Sequence, residues 1–463
     1  MARRARAYAV LARVPPDQAL AGAPMTTVSR PPDTAGAAAP GQPVAARLRA
    51  QLRDPLQTNV YALTLNTAVT SVLGIGYWVL AARLYAPREL GIGAAIVSTM
   101  TLLSNLSQLN LNGTLARFLP TAGQHGGRLV ASAYGASCGV ALVLGTGFLL
   151  IAPALSPSVA VVTASPLLAV AFVLSIAAWG VFTLQDSVLT ALRGAVWVPV
   201  ENAAFGIAKI ALLVSLATAL PTLGIFASWN LPVVATLVAV NVLVFRRLLP
   251  RPQRRQATEL PGRALLVRFV MLDYVGYLFL QAGTNALPVL VASVLGATAN
   301  AVFYVGWLLG SSIELVAYHF GTSLTVESAA NPARLAAYTR QVLRRGLLVF
   351  APVAALLCLF APVLLQVFGT QYAQDSATVL RLFAVAALPK FVVTVFIATC
   401  RVQRRVGRIV LIQAGTSAFV VSFGVLSMHS MGAAGVGVGY LAGQLVVAAA
   451  VLPALTRLLR TRA

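Results

Sequence analysis

Twelve apolar stretches, each long enough to cross a bilayer, leave this chain few folds to choose from. A spanning helix needs roughly 20 consecutive apolar residues. Runs of that size, bounded by Gly, Pro or charge, fall at 57–84, 90–118, 129–152, 167–192, 197–220 and 225–248. A second set follows at 264–294, 298–323, 341–368, 376–402, 406–428 and 433–456. Only 10% of the 463 residues are charged, against roughly 25% in a soluble domain. The pattern predicts an all-α polytopic membrane protein and excludes a soluble enzyme.

Charge sets the orientation. The chain carries 34 basic and 11 acidic residues, a net +23, which in a soluble chain would suggest nucleic acid. Here the arginines sit in short gaps between spans, where they orient helices and meet anionic headgroups, so no nucleic-acid partner is expected. With the N-terminus inside, only Arg83, Arg88 and Arg381 fall on the outer side, leaving 29 of the 32 arginines inside. Both termini are then cytoplasmic, and every outer gap is too short for an extracytoplasmic catalytic domain. Residues 1–54, rich in Pro, Ala, Gly and Arg, have no apolar run suited to a signal peptide; they read as a disordered cytoplasmic tail, with Met25 an alternative start. Cys138, Cys358 and Cys400 stand alone in apolar runs, so neither metal nor cofactor is expected.

The most polar internal gap, 249–263, divides the spans into an N-lobe at 55–248 and a C-lobe at 264–460. An internal repeat supports the division. VLAARLYAPRELG from Val79 aligns with VLVASVLGATANA from Val289 at an offset of 210, and Arg193 matches Arg401 at an offset of 208. Both halves start on one side, so the repeat is parallel, an arrangement used by transporters that rock around a site between two lobes.

Polar residues recur at helical spacing within the spans. The second has Ser98, Thr101, Asn105, Gln108 and Asn112; the fourth Trp179, Thr183, Asp186, Thr190 and Arg193; the seventh Tyr274, Tyr277, Gln281, Thr284 and Pro288. Asn59, Asn66 and Thr70 add a stripe on the first span, and Trp307, Ser311, Glu314 and Tyr318 one on the eighth. One stripe is as well explained by helix-to-helix hydrogen bonding, but five over both halves favour a shared aqueous cleft. Lys209 and Lys390 are intramembrane cations, each suited to an anionic headgroup, with a structural ion pair as the plain alternative; for Lys209 the partner would be Asp186 or Glu201. Arg83 suits interfacial snorkelling. Arg117 is a topology signal first and a diphosphate contact second. Asp186, Asp273 and Glu314 are the ion-coupling candidates, whereas Glu201 reads as a helix-end residue.

AARLYAPRELGIGAAIVST, with Arg83, Pro87, Glu89 and Gly91, resembles the first outer turn of the polysaccharide-transporter, or oligosaccharide flippase, family. ARFLP at 116–120 and VENAAFGIAK at 200–209 extend the resemblance, which covers about residues 57–460. That family lies in the multidrug/oligosaccharidyl-lipid/polysaccharide (MOP) exporter superfamily with multidrug-and-toxin extruders (MATE) and lipid II flippases. The resemblance implies a MATE-like fold of two six-helix lobes in a bacterial cytoplasmic membrane. It also implies flipping of a polyprenyl-diphosphate-linked oligosaccharide by alternating access for surface polysaccharide biosynthesis. Lys209, Asn202 and Arg83 match positions where the family often keeps cations or polar groups; Arg117, Lys390, Asn66, Asn105, Gln108 and Gln281 complete the expected substrate set. The second half departs from the pattern, with Ala297 and Ala299 in place of Pro87 and Glu89. The expected partners are the lipid-linked oligosaccharide, membrane lipids and H⁺ or Na⁺, with the chain a monomer near a polysaccharide polymerase or glycosyltransferases. Two rival readings are a multidrug or organic-cation antiporter of the same fold, and a membrane glycosyltransferase or glycan polymerase. The last would want outer-loop carboxylates, and the outer gaps hold only Glu89 and Asp375.

Overall fold

Prolines open several of the helices, since a residue without an N–H costs nothing in the first turn. Pro87 and Pro166 stand there, and Ser165 caps the latter helix by accepting the Leu168 N–H at 3.2 Å. The computed structural model describes residues 55–249 and 263–460, with side chains from 65–249 and 274–460. The expected tail at 1–54, residues 250–262 of the linker, and the side chains of Asn59 and Asp273 lie outside the described residues. From Asn59 onward the chain is one compact unit.

The first six spans are α1 Pro55–Leu84, α2 Pro87–Ser107, α3 Gly126–Leu155, α4 Pro166–Ala191, α5 Trp197–Leu216 and α6 Gly224–Leu243. The second six are α7 Arg263–Asn285, α8 Ala297–Ala330, α9 Leu335–Gln366, α10 Ala377–Val402, α11 Val406–Met431 and α12 Ala433–Arg460. Eleven are long and apolar enough to cross a bilayer alone. α7 and the short helix Leu287–Val294 pass the same test only together, bent by 46° between them, and make a twelfth span when counted as one. Pro288 accounts for the bend, because it has no N–H to continue the helical ladder.

The second span departs from its expected form. Leu109 and Asn110 take left-handed φ of 50° and 55°, so α2 stops at Ser107 and a short helix, Leu111–Phe118, restarts beyond. Asn112 therefore belongs to a different helix from Ser98, Thr101 and Asn105. In the other half α8 runs unbroken through the corresponding region, so the two lobes differ there.

Elsewhere the internal repeat is visible in the backbone. Pro87 and Ala297 open α2 and α8, 210 residues apart, and Pro166 and Ala377 open α4 and α10, 211 apart. After α4 and α10 the chain turns through Arg193 and Arg404, with φ of 59° and 55°. Gly194 N–H then returns to Leu189 O at 2.7 Å and Arg405 N–H to Cys400 O at 2.8 Å, the same closure of a helix C-terminus. The structural partner of Arg193 is thus Arg404, not Arg401.

Within the first set α3 packs on α4, α5 on α6, and α2 on α3, α4 and α6; in the second α10 packs on α8, α9 and α12, and α11 on α7 and α12. The sets meet chiefly where α2 crosses α8. There Asn300 Nδ2 donates to Gly91 O at 2.9 Å, and a Cβ on Gly91 would collide with the Ala297 carbonyl, so only glycine permits this approach.

Candidate functional site

The two ends of the helix assembly are built differently. At the arginine-poor end, Tyr77, Trp78, Tyr85 and Leu90 of the first set share one buried apolar cluster with Tyr304, Leu365, Phe368 and Tyr372 of the second. The Trp78 and Tyr304 rings lie 4.5 Å apart between centroids. Arg83 reaches across to the C-terminus of α9, donating from Nε to Val367 O at 2.9 Å and from Nη2 to Gln366 O at 3.0 Å. A guanidinium suits that place, because the last carbonyls of a helix have no partners of their own and carry the negative end of its dipole. Ser156 Oγ adds a bond to Ala292 O at 2.9 Å. This end is sealed.

From mid-span toward the arginine-rich end lies a cleft of about 250 Å³, lined by Gln281 and Thr284 of α7, Glu314 and Tyr318 of α8, Lys390, Thr394 and Arg401 of α10, and Gln413 of α11. A smaller void of about 60 Å³ continues from it past Gln444. Lys390 Nζ donates to Glu314 and, at 2.6 Å, to the Tyr440 hydroxyl, which itself donates to Glu314. The plain alternative for Lys390, a structural ion pair, is therefore realised. The pair sits in the cleft wall with both side chains about one-sixth exposed, so it remains within reach of a ligand.

Lys209 is in a different setting. It is 5% exposed, and its ammonium lies 3.8 Å from the Trp229 ring centroid, 4.5 Å from Tyr77 and 5.0 Å from Phe205. Three ring faces supply the electron density that a counter-ion would otherwise provide. Tyr77 is fixed in turn by Ser228 at 2.9 Å and Ile225 O at 3.1 Å. Among the described residues Lys209 forms no ion pair, so the expected alternative pairing with Asp186 or Glu201 does not occur.

Those two acids instead lie within electrostatic reach of each other. Asn202 Nδ2 touches both Asp186 oxygens at 3.3 and 3.4 Å. Glu201 is 5% exposed, and neither of its carboxylate oxygens has a hydrogen-bond partner. It lies near the N-terminal end of α5, where the sequence places it, but it is buried there with no partner rather than held by a cap or an interface contact.

The polar stripe of α2 is partly self-satisfied. Gln108 donates to Asn105 at 3.2 Å, Asn112 to Gln108 at 3.1 Å, and Ser187 of α4 to Asn112 at 2.9 Å. That is the helix-to-helix bonding set against cavity lining above. Asn66 is half-buried with its Oδ1 unpartnered, and Arg117 is exposed with its guanidinium 5.4 Å from the Phe118 ring. The structure thus brings Gln281, Glu314 and Lys390 together in one cleft. It places Lys209, Asn202 and Asp186 in the first lobe, and Arg83 in the seal. Thr394, Gln413, Tyr440 and Gln444 join the cleft region without having been singled out, since an isolated polar residue in an apolar span carries no stripe.

No known family profile matches the sequence, and no curated protein does. Solved structures do. A multidrug resistance MATE family transporter of the MOP superfamily, inward-facing, superposes with a TM-score of 0.62 at 16% identity over 88% of this chain and all of its own. An outward-facing MATE transporter gives 0.57 at 17% identity, over 89% of this chain and 98% of that one. The lipid II flippase MurJ, in an inward closed conformation, gives 0.67 at 11% identity over 85% of this chain and 87% of that chain. The fold is the one shared with these MATE transporters and with MurJ, an all-helical assembly of two six-helix lobes, as the sequence resemblance implies.

Proposed function

We propose that the protein flips a polyprenyl-diphosphate-linked oligosaccharide across the bacterial cytoplasmic membrane by alternating access of its lobes at 55–248 and 264–460. The observation that carries this reading is the contrast between the ends: a polar cleft toward the arginine-rich face and an apolar, arginine-latched seal at the other. Positive residues accumulate on the cytoplasmic side, so the cleft faces the leaflet where lipid-linked sugars are assembled, with both termini on that side. The barrier to flipping is desolvation of a charged, hydroxyl-rich head across about 30 Å of hydrocarbon. Gln281, Thr284, Thr394 and Gln413 offer amide and hydroxyl groups in place of that water, and Lys390 and Arg401 offer charge to the diphosphate.

A diphosphate reaching Lys390 takes the lysine from Glu314, which then needs another cation. That exchange would link cargo to H⁺ or Na⁺. The pair Asp186 and Glu201, which has no basic partner among the described residues, is a second place for such an ion. Lys209, Asn202, Asn66, Asn105, Gln108 and Arg117 belong to the first lobe's share of the pathway. Arg83 serves as its outer latch.

The test is reconstitution. Proteoliposomes loaded with a fluorescent polyprenyl-diphosphate oligosaccharide should move it between leaflets, and Lys390→Met should abolish the movement. Transport of ethidium with no movement of the lipid would establish the antiporter reading instead, which the MATE-like fold and the aromatic cage around Lys209 favour.

A further inference from the structure

Helices α8 and α9 are the longest in the second lobe, at 34 and 32 residues. At 1.5 Å per residue they run about 51 and 48 Å, well beyond the roughly 30 Å of a hydrocarbon core. Residue character on α9 places the excess at the arginine-rich end. From Leu347 to Leu364 its exposed positions are apolar: Leu348 is 67% exposed and Leu359 71%, as expected for a surface against acyl chains. Immediately before them Arg340, Gln341, Arg344 and Arg345 are all exposed. The change from guanidinium to leucine within three residues marks the boundary between headgroups and hydrocarbon.

A groove of about 530 Å³ lies at that boundary, lined by Ala337, Arg340, Gln341, Arg344, Arg345 and Leu348. Two of its cations are held by neutral acceptors rather than neutralised. Arg340 donates to Leu459 O of α12 at 2.6 Å. The Gln341 amide, with its oxygen turned toward Arg345, accepts from both terminal nitrogens at 2.9 and 3.1 Å. No carboxylate pairs with Arg340, Arg344 or Arg345 among the described residues. Three guanidinium groups above an apolar wall, two of them held by neighbouring acceptors, match a molecule with a phosphate at one end and acyl chains at the other.

We propose that this groove is a binding site for an anionic glycerophospholipid of the bilayer, its phosphate held by Arg340, Arg344 and Arg345 and its chains laid against α9 from Leu348 onward. The site is independent of which cargo the protein moves, since it lies outside the cleft of Gln281, Glu314 and Lys390. Lipid here would tie down one end of α9, whose other end is latched by Arg83.

The test uses the full chain in nanodiscs. Native mass spectrometry counts retained lipid in discs of phosphatidylglycerol and phosphatidylcholine at 30:70 and in discs of phosphatidylcholine alone. The wild type should retain phosphatidylglycerol selectively, and Arg344→Gln/Arg345→Gln should weaken that retention roughly thirtyfold, two interfacial cations' worth. Arg246→Gln/Arg247→Gln removes the same charge from the arginine-rich end of the first lobe, away from the groove, and should leave retention unchanged; an equal loss there would reduce the effect to general surface charge and overturn the proposal. So would retention of phosphatidylglycerol no better than phosphatidylcholine, displacement by 10 mM inorganic phosphate, or a preference for polyprenyl phosphate over phosphatidylglycerol. Each variant's melting profile, unchanged from wild type, keeps a folding failure apart from a binding loss.

Discussion

The two lobes share a backbone plan and differ in their chemistry. Their helices start 210 or 211 residues apart where α2 and α4 are compared with α8 and α10, and both α4 and α10 end in a left-handed arginine. Yet the lysine of the first lobe sits among three rings with no acid beside it, while the lysine of the second is bound to a glutamate and a tyrosine. Asp186 and Glu201 of the first lobe have no basic partner among the described residues, and Glu201 has no hydrogen-bond partner. A repeat of the fold therefore does not repeat the charges. In the second lobe the intramembrane Lys390 and Glu314 neutralise each other; in the first, Lys209 and the acids Asp186 and Glu201 are kept apart, with no ion pair between them among the described residues.

Breaking the balanced network should have the largest effect. Lys390→Met strips Glu314 of its cation and should cost about 3 kcal/mol, the scale for removing one partner of a buried pair. The double variant Lys390→Met/Glu314→Gln should recover much of that loss, because no charge is then left unpaired. Thermal unfolding of the two single variants and the double gives the coupling. Additive losses would mean that the pair is not a unit. Lys209→Met should cost less, about 1 to 2 kcal/mol, since it forfeits attraction to three rings and strands no opposite charge. A loss as large as that of Lys390→Met would reveal a counter-ion for Lys209 and remove the contrast between the lobes.

What could be read from the sequence follows the same division. Spans are set by runs of apolar residues, a local property, and most helices begin and end within a few residues of the expected positions. Span 2 breaks at Leu109 and Asn110 without a Gly or Pro to announce it; only the tolerance of Asn for left-handed backbone hints at the break. Pairing of Lys390 with Glu314 joins residues 76 apart and depends on how two helices are rotated, which spacing along one helix does not encode. Burial of Glu201 depends in the same way on α4 and α5 lying side by side. The expected cleft between the lobes was argued from stripes on both, but amides on α2 bond mainly to one another and to Ser187, and the cleft is lined by the second lobe.

Arg83→Ala tests how the lobes are held together. It removes two bonds to the end of α9 and should weaken the seal by about 1 kcal/mol, roughly fivefold in the population of open molecules. Maleimide labelling of Tyr372→Cys, a position 1% exposed beneath the latch, should accelerate by that factor. An unchanged rate would leave the closure to the aromatic cluster of Trp78 and Tyr304 alone.

The smallest effect should also have the opposite sign. Glu201→Gln replaces a buried carboxylate that has no base and no hydrogen bond with a neutral group of the same shape, relieving repulsion from Asp186. Stability measured without added Na⁺ should hold or rise by up to about 1 kcal/mol, where most buried polar substitutions lower it. Stabilisation by Na⁺, if the pair binds that ion, should shrink in the variant, because a ligand that binds only the folded protein raises its melting temperature with concentration. A clear loss of stability would show that Glu201 already has a cationic partner, and the first lobe would then be balanced like the second.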